Sequence, residues 1–283
     1  MIDCPHVQKQ SVRFHYDLST LFYRLLWGEH IHHGLWEGNE RPTAAQVQLT
    51  RTMARLARIG HGERVLDVGC GMGGSSLYLA REHGCRVTGV TLSPFQRRWA
   101  RWAARRRRLS DRVEFRCDDA EAIEFADSSF DVVWSIECTE HLFDKKRFFE
   151  RAAGWLGPGG RMAICAWLEG SQGRTAAGQQ LVVDVCEGFF CPSLGSMADY
   201  RTWMESAGLQ VVSECDWTDR VARTWEICER RVRRSGVRWL ARLLDRDTVR
   251  FLDRFRTIRE AYATGAMAYG CIVAGKPSTS SHG

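Results

Sequence analysis

Short apolar runs recur along the chain, separated by longer stretches whose apolar residues return at helical intervals. The runs at 64–68, 86–90, 112–117, 130–135, 161–167, 209–217 and 266–274 have the length and composition of buried strands. Between and before them Leu49, Met53 and Leu56 fall four and three apart, as do Phe95, Trp99 and Trp102. Such alternation predicts an α/β fold with a seven-stranded, doubly wound, Rossmann-like sheet. On this reading Phe95, Trp99 and Trp102 face the core, and the arginines of RRWARWAARRRR at 97–108 form a solvated outer face.

Two regions lie outside a minimal α/β unit and are expected to form helical caps. Residues 1–60 read as an N-terminal helical segment, and 61–275 as the main domain, with insertions at about 171–205 and 218–265. In the second insertion Val221, Trp225, Cys228 and Val232 make one apolar stripe, and Phe251, Phe255, Ile258 and Tyr262 another. The end of the chain, 276–283, has the composition of a disordered tail.

Composition narrows the function. A chain of 283 residues with 44% hydrophobic content can bury one large core. The net charge of +6 comes from 36 arginines against only four lysines, a lopsidedness closer to coding bias than to a phosphate-tracking surface. With its aromatic residues assigned to the core, the arginine run has nothing to stack bases, so a nucleic-acid partner is not expected. Eleven scattered cysteines, an odd number without a C-x-x-C pair, argue against a disulfide framework and for a reducing, cytoplasmic setting. No stretch approaches the roughly 18 apolar residues of a membrane span, and the N-terminus has no signal-peptide core. The histidines of HIHHG at 30–34 lack a carboxylate or cysteine at ligand spacing, so no metal site is expected.

The strongest chemical signal is VLDVGCGMGG at 65–74. A strand delivers Asp67, and Gly69, Gly71 and Gly73 make a tight turn into a helix whose first N–H groups face a ligand. Gly69, Gly71 and Gly74 also satisfy the dinucleotide pattern G-x-G-x-x-G. That alternative needs an acidic ribose ligand about 20 residues further on, yet no Asp or Glu occurs between His83 and Ser110.

Taken in order, DVGCGMGG, GVTLSPFQ at 89–96, CDDA at 117–120, SFDVVWSIECTEHL at 129–142 and LGPGG at 156–160 resemble the class I S-adenosylmethionine methyltransferases over roughly residues 55–275. TLSPFQ, the Glu-His pair and WGEHIHHG further resemble the γ-tocopherol methyltransferase group, whose relatives include alkaloid N-methyltransferases, sugar O-methyltransferases and cyclopropane synthases. The resemblance implies an antiparallel last strand and S-adenosylmethionine as cofactor. It implies that Gly69, Gly71 and Gly73 lie along the methionine part and that Asp67 lies near its ammonium, a charge-assisted contact. Most of the superfamily carries an acidic residue where Thr91 stands, so Thr91, Leu92 and Gln96 are expected at the ribose and adenosine instead. Asp119 and Ala120 are expected at adenine, Ile136 on the cleft wall, and Tyr16, His33 and Gly34 in an N-terminal segment that closes over the cofactor.

Methyl transfer needs an aligned acceptor and a group to take its proton. By resemblance, Glu137, Glu140 and His141 of ECTEH are the catalytic candidates, with His141 suited to act as base by its ordinary pKa; Glu140 and His141 could instead merely cap the following helix. Phe189, Phe190 and Trp225 are expected to enclose a lipophilic acceptor, or else to pack the cap. The expected activity is methylation of a small lipophilic acceptor, aromatic, isoprenoid or alkaloid-like, on carbon or nitrogen. O-methylation of a sugar or phenol in natural-product biosynthesis is the alternative. A scaffold that retains the cofactor for non-methylating chemistry is the rival from another class. Cyclopropane chemistry is weakened by Gly34, where those synthases carry a cysteine.

Overall fold

A computed structural model describes residues 1–9, 30–234 and 246–278, with the backbone alone for 234 and 246–253. Tyr16, Phe251 and most of the 276–283 tail therefore lie outside the described residues or side chains. The first element is a two-residue strand, β1 (Ile2–Asp3), followed by α1 (Pro42–Leu56), β2 (Arg64–Val68), α2 (Gly74–Glu82), β3 (Arg86–Thr91), α3 (Pro94–Arg106), β4 (Val113–Cys117) and β5 (Phe130–Ile136). A single 3₁₀ turn, Thr139–His141, leads to α4 (Lys145–Trp155), β6 (Leu156–Glu169), α5 (Ala176–Phe189), β7 (Ser193–Leu194), α6 (Met197–Ser206) and β8 (Gln210–Asp216). The chain continues through α7 (Thr218–Val221), α8 (Arg223–Arg234), α9 (Arg246–Ala263) and β9 (Met267–Gly275).

Seven strands form one sheet in the order β4-β3-β2-β5-β6-β9-β8, parallel except for β9, which runs antiparallel to both its neighbours. Side chains alternate between two cores. Val65, Val132, Trp134, Cys165 and Tyr269 pack on one face with α1, α2, α3, α5, α8 and α9. Leu66, Val133, Ile164 and Ile272 pack on the other with α4 and α6. The sequence places all seven strands, though β6 begins five residues earlier than expected. The strand is expected from Arg161, whereas Leu156 already pairs with Phe130 across an irregular register.

Three expectations need correction. The N-terminal region is not wholly helical, because β1 pairs antiparallel with β7, Ile2 opposite Leu194. The segment 171–205 is not one cap: α5 packs with α8 and α9, while α6 carries Tyr200 and Met204 into the opposite core. Finally, α3 is turned the other way. Its buried residues are Gln96, Ala100, Ala103 and Ala104, whereas Phe95 is 41% and Trp102 50% exposed and Trp99 is half-buried. Spacing shows that residues share a face, not which face goes inward. Small residues win here because the helix lies close to the sheet: a Cβ at Gly73 would stand 3.1 Å from the Ala100 Cβ and 2.8 Å from the Phe115 ring.

Candidate active site

The sheet order reverses between β2 and β5, and a cleft opens there at the carboxyl ends of β2, β3 and β5, where ligands bind in such sheets. It holds about 800 Å³ including its mouth. A smaller compartment beyond Gly69, Thr91 and Leu92 is lined by Lys9, Asp119 and Ala120.

The glycine turn divides by role. Gly69 and Gly71 line the cleft with positive φ (78° and 53°), and a Cβ at Gly71 would meet no protein atom within 4 Å, so it would project into open space. Gly73 starts α2 in a left-handed conformation against Phe115, and its demand is packing. Asp67, at the end of β2, is buried on the cleft wall and accepts a 2.5 Å hydrogen bond from the Ser76 hydroxyl. Burial pushes its carboxyl up to about 7, against the pull of Ser76. A buried carboxylate on the cleft wall, bonded by the Ser76 hydroxyl among the described residues, suits a cationic ligand group, and this fits the ammonium of S-adenosylmethionine.

At the end of β3 the Thr91 hydroxyl donates to Gln96 Oε1 at 2.7 Å, and both residues line the cleft with Leu92. Ser93 caps α3 by accepting from the Gln96 N–H at 3.1 Å, with Pro94 at the first helical position. Asp119 and Ala120 line the smaller compartment, but both Asp119 oxygens are engaged. Oδ1 accepts from the Glu121 N–H at 2.9 Å, and Oδ2 lies 2.7 Å from Lys9 Nζ, which also reaches Glu121 at 2.6 Å. Lys9 carries no motif in the sequence and was missed.

The catalytic candidates separate sharply. Glu137, with φ at 52°, follows Ile136 on the cleft wall, yet its carboxylate is saturated. Oε1 accepts from the His33 N–H at 2.8 Å, His33 Nδ1 at 2.9 Å and the Tyr269 hydroxyl at 2.9 Å; Oε2 accepts from Trp167 Nε1 at 3.1 Å. Burial raises its pKa, but His33 and His32 outweigh burial and hold it at about 2. Glu140, fully buried, takes only a 3.4 Å bond from the Trp167 N–H on Oε1, while Oε2 has no partner among the described residues. Burial pushes this carboxyl up to about 7. The His141 ring lines both compartments. Its Nδ1 lies 3.1 Å from the Phe190 carbonyl oxygen, which can only accept, so Nδ1 carries the hydrogen and Nε2 the lone pair. Burial lowers its pKa, against the opposing pull of Glu140.

The N-terminal segment contributes differently from expectation. His30, Ile31 and His32 line the cleft, whereas His33 is buried on Glu137. Gly34 packs away from the cleft: its N–H donates to Thr224 Oγ1, and a Cβ there would stand 2.6 Å from Ala45. Among the described residues that line the two compartments, Phe189, Phe190 and Trp225 are not found. Phe189 and Trp225 are buried edge-to-face on Trp167, with ring centroids 5.1 and 5.8 Å away, and Phe190 acts through its carbonyl from a left-handed conformation at φ 60°. The apolar wall comes instead from Ile31, Met72, Leu92 and Ile136.

Among the described residues no helix is long and apolar enough to cross a membrane. Residues 5–261 match the family model described as mycolic acid cyclopropane synthetase. A probable chloroplastic tocopherol O-methyltransferase of Oryza sativa subsp. japonica is 32% identical, over 97% of this chain and 80% of its own. The 27-O-demethylrifamycin SV methyltransferase of Amycolatopsis mediterranei is also 32% identical, over 93% and 95%. Among solved structures, the cyclopropane synthase MmaA2 of Mycobacterium tuberculosis superposes with a TM-score of 0.85 at 17% identity, covering 96% of this chain and 99% of that one, a likeness of fold. With the cleft fitting the cofactor and these matches spanning nearly the whole chain, the protein belongs to the mycolic acid cyclopropane synthetase family and is an S-adenosylmethionine-dependent methyltransferase.

Proposed function

We propose that the chain methylates a phenolic hydroxyl, or next an amine, on a small lipophilic acceptor, with His141 taking the departing proton at Nε2. The carrying observation is His141 itself: its Nδ1–H is committed to the Phe190 carbonyl, its pKa is lowered by burial, and it lines the cleft together with the apolar Ile31, Met72 and Ile136. When bound, S-adenosylmethionine supplies the electrophilic methyl group. Asp67 holds the ammonium, Gly69 and Gly71 admit the backbone-close part of the cofactor, Thr91 and Gln96 meet the ribose, and Asp119 and Ala120 flank adenine. Ile31, Met72 and Ile136 exclude water from the acceptor. Glu140, beside His141, steadies the charge that His141 gains, while Glu137 positions the wall rather than moving a proton.

Two relatives named for O-methylation favour oxygen over the carbon or nitrogen acceptor expected from sequence. Gly34 leaves no space for a side chain, which speaks against cyclopropane chemistry of the kind that uses a cysteine there. Eleven free thiols support a cytoplasmic enzyme of natural-product biosynthesis.

Incubation with S-adenosylmethionine and a panel of lipophilic phenols and amines, read by mass spectrometry, should show the gain of one methyl group. His141→Ala should lower turnover by about a hundredfold or more with S-adenosylhomocysteine affinity nearly unchanged. Because the base works unprotonated and its pKa is lowered, the parent's rate should hold at neutral pH and fall only on acidification. Products isomeric with their substrates would replace this reading with non-methylating chemistry, and equal loss of cofactor binding in His141→Ala would make His141 structural.

A further inference from the structure

Helix α3 carries a surface that the methyl-transfer reading does not use. Phe95 and Trp102, seven residues apart, lie on one line of the helix, and both are among the few large apolar side chains exposed in the described structure. Arg98, Arg101, Arg105 and Arg106 are exposed beside them. No carboxylate occurs from His83 to Ser110 to neutralise them. Over 13 residues this makes a stripe about 20 Å long. It begins at the cleft: Ser93 and Gln96, on either side of Phe95, line the site. A third exposed ring, Phe143, follows Leu142 at the edge of the smaller compartment.

We propose that the exposed face of α3 docks on a membrane surface bearing anionic lipid, with Phe95 and Trp102 entering the headgroup region and the arginines pairing with lipid phosphates. Charge complementarity fixes the sign of the partner, and the pairing of arginine with Trp and Phe is that of an interfacial helix. Nucleic acid fits less well. The surface is a convex helix rather than a groove, and the Trp102 ring is engaged by Arg106 at 5.6 Å and by Trp99 at 5.1 Å rather than presented for stacking. Docked this way, the protein brings the end of α3 that borders the cleft, at Ser93 and Gln96, to the lipid surface that would hold a lipophilic acceptor. That last link rests on the acceptor class proposed above; the contact itself rests on α3 alone.

The test is co-sedimentation of the full chain with vesicles of phosphatidylcholine alone or mixed with phosphatidylglycerol, at low and high salt. Binding should require the anionic lipid and weaken with salt. It should fall about tenfold or more in Arg98→Gln/Arg101→Gln/Arg105→Gln and measurably in Trp102→Gln, with melting temperature and S-adenosylhomocysteine affinity retained by both. Absence of vesicle binding at low salt, equal binding by the triple variant, or tight binding of a single-stranded oligonucleotide in place of vesicles would each overturn the proposal. Because no acceptor is present, failure of the acceptor reading leaves this result standing.

Discussion

Replacing Glu137 by Gln removes one charge from the best-connected buried group in the cleft wall. The carboxylate accepts four hydrogen bonds, three on Oε1 and one on Oε2. An amide oxygen can keep the three, but the amide NH₂ then faces the Trp167 indole N–H, donor against donor. A carboxyl lowered from 4.5 to about 2 stabilises the folded state by about 3 kcal/mol at neutral pH. An unpaired buried indole N–H adds on the order of 1–3 kcal/mol. Since the folded pKa is depressed, the charge contribution is present above pH 4.5 and is lost as pH falls through 4.5 toward 2. Urea unfolding should therefore show Glu137→Gln less stable than the parent by about 3 kcal/mol or more at pH 7, with the gap narrowing toward pH 3. S-adenosylhomocysteine binding should recover wherever the variant is folded. A variant as stable as the parent at pH 7 but without turnover would refute the reasoning, because Glu137 would then act in the chemistry instead of holding His33, Trp167 and Tyr269 together.

Two further perturbations probe the cofactor side. Burial pushes the Asp67 carboxyl up to about 7, and an ammonium binds its ionised form. Calorimetric affinity for S-adenosylhomocysteine should therefore fall as pH drops below about 7, and Asp67→Asn should bind weakly with little pH dependence; a flat parent profile from pH 5.5 to 8 would contradict this. The raised pKa also means that Asp67 favours folding below its ordinary 3.8, an advantage lost as pH rises to about 7. Lys9→Ala breaks a partly exposed ion pair to Asp119 and Glu121. It should cost less than about 1 kcal/mol of stability yet speed cofactor release in stopped-flow measurements, and unchanged release would deny the N-terminus a closing role.

What the sequence made legible is what is local to a strand end. Asp67, Thr91, Gln96, Asp119, Ile136 and His141 each sit within a few residues of a strand terminus, inside the motifs that carry the family resemblance, and the cleft and its smaller compartment are lined by these residues. Partners across the fold left no such trace. Glu137 meets His33 and Tyr269 at sequence separations of 104 and 132, and its motif position alone marked it as chemical. Phe190 serves His141 through a backbone carbonyl, which no side-chain pattern encodes. The inward face of α3 was misread because three aromatic residues outweigh three alanines in any hydrophobic count, although close packing on Gly73 and Phe115 admits only the alanines.

Glu137 and Glu140 show why position in a motif does not assign a role. They stand three residues apart, and both are withdrawn from solvent, so burial pushes both carboxyls up. The difference is in donors. Four hydrogen bonds and the neighbouring histidines overcome burial at Glu137 and hold its carboxyl well below the usual range, at about 2. Glu140 has one long bond and an oxygen without a partner, so burial prevails and its charge is balanced near neutrality. Among charged neighbours His141 acts on it most strongly, and Glu140 in turn favours the protonated His141. On the proposed reading, the histidine that takes the acceptor's proton is set beside a carboxyl able to ionise in response, while the carboxylate held well below 4.5 keeps the wall in place. Environment drives the two carboxyls apart, one held ionised by its donors and one pushed up by burial, which is the separation that the proposed roles require, and only the folded chain supplies it.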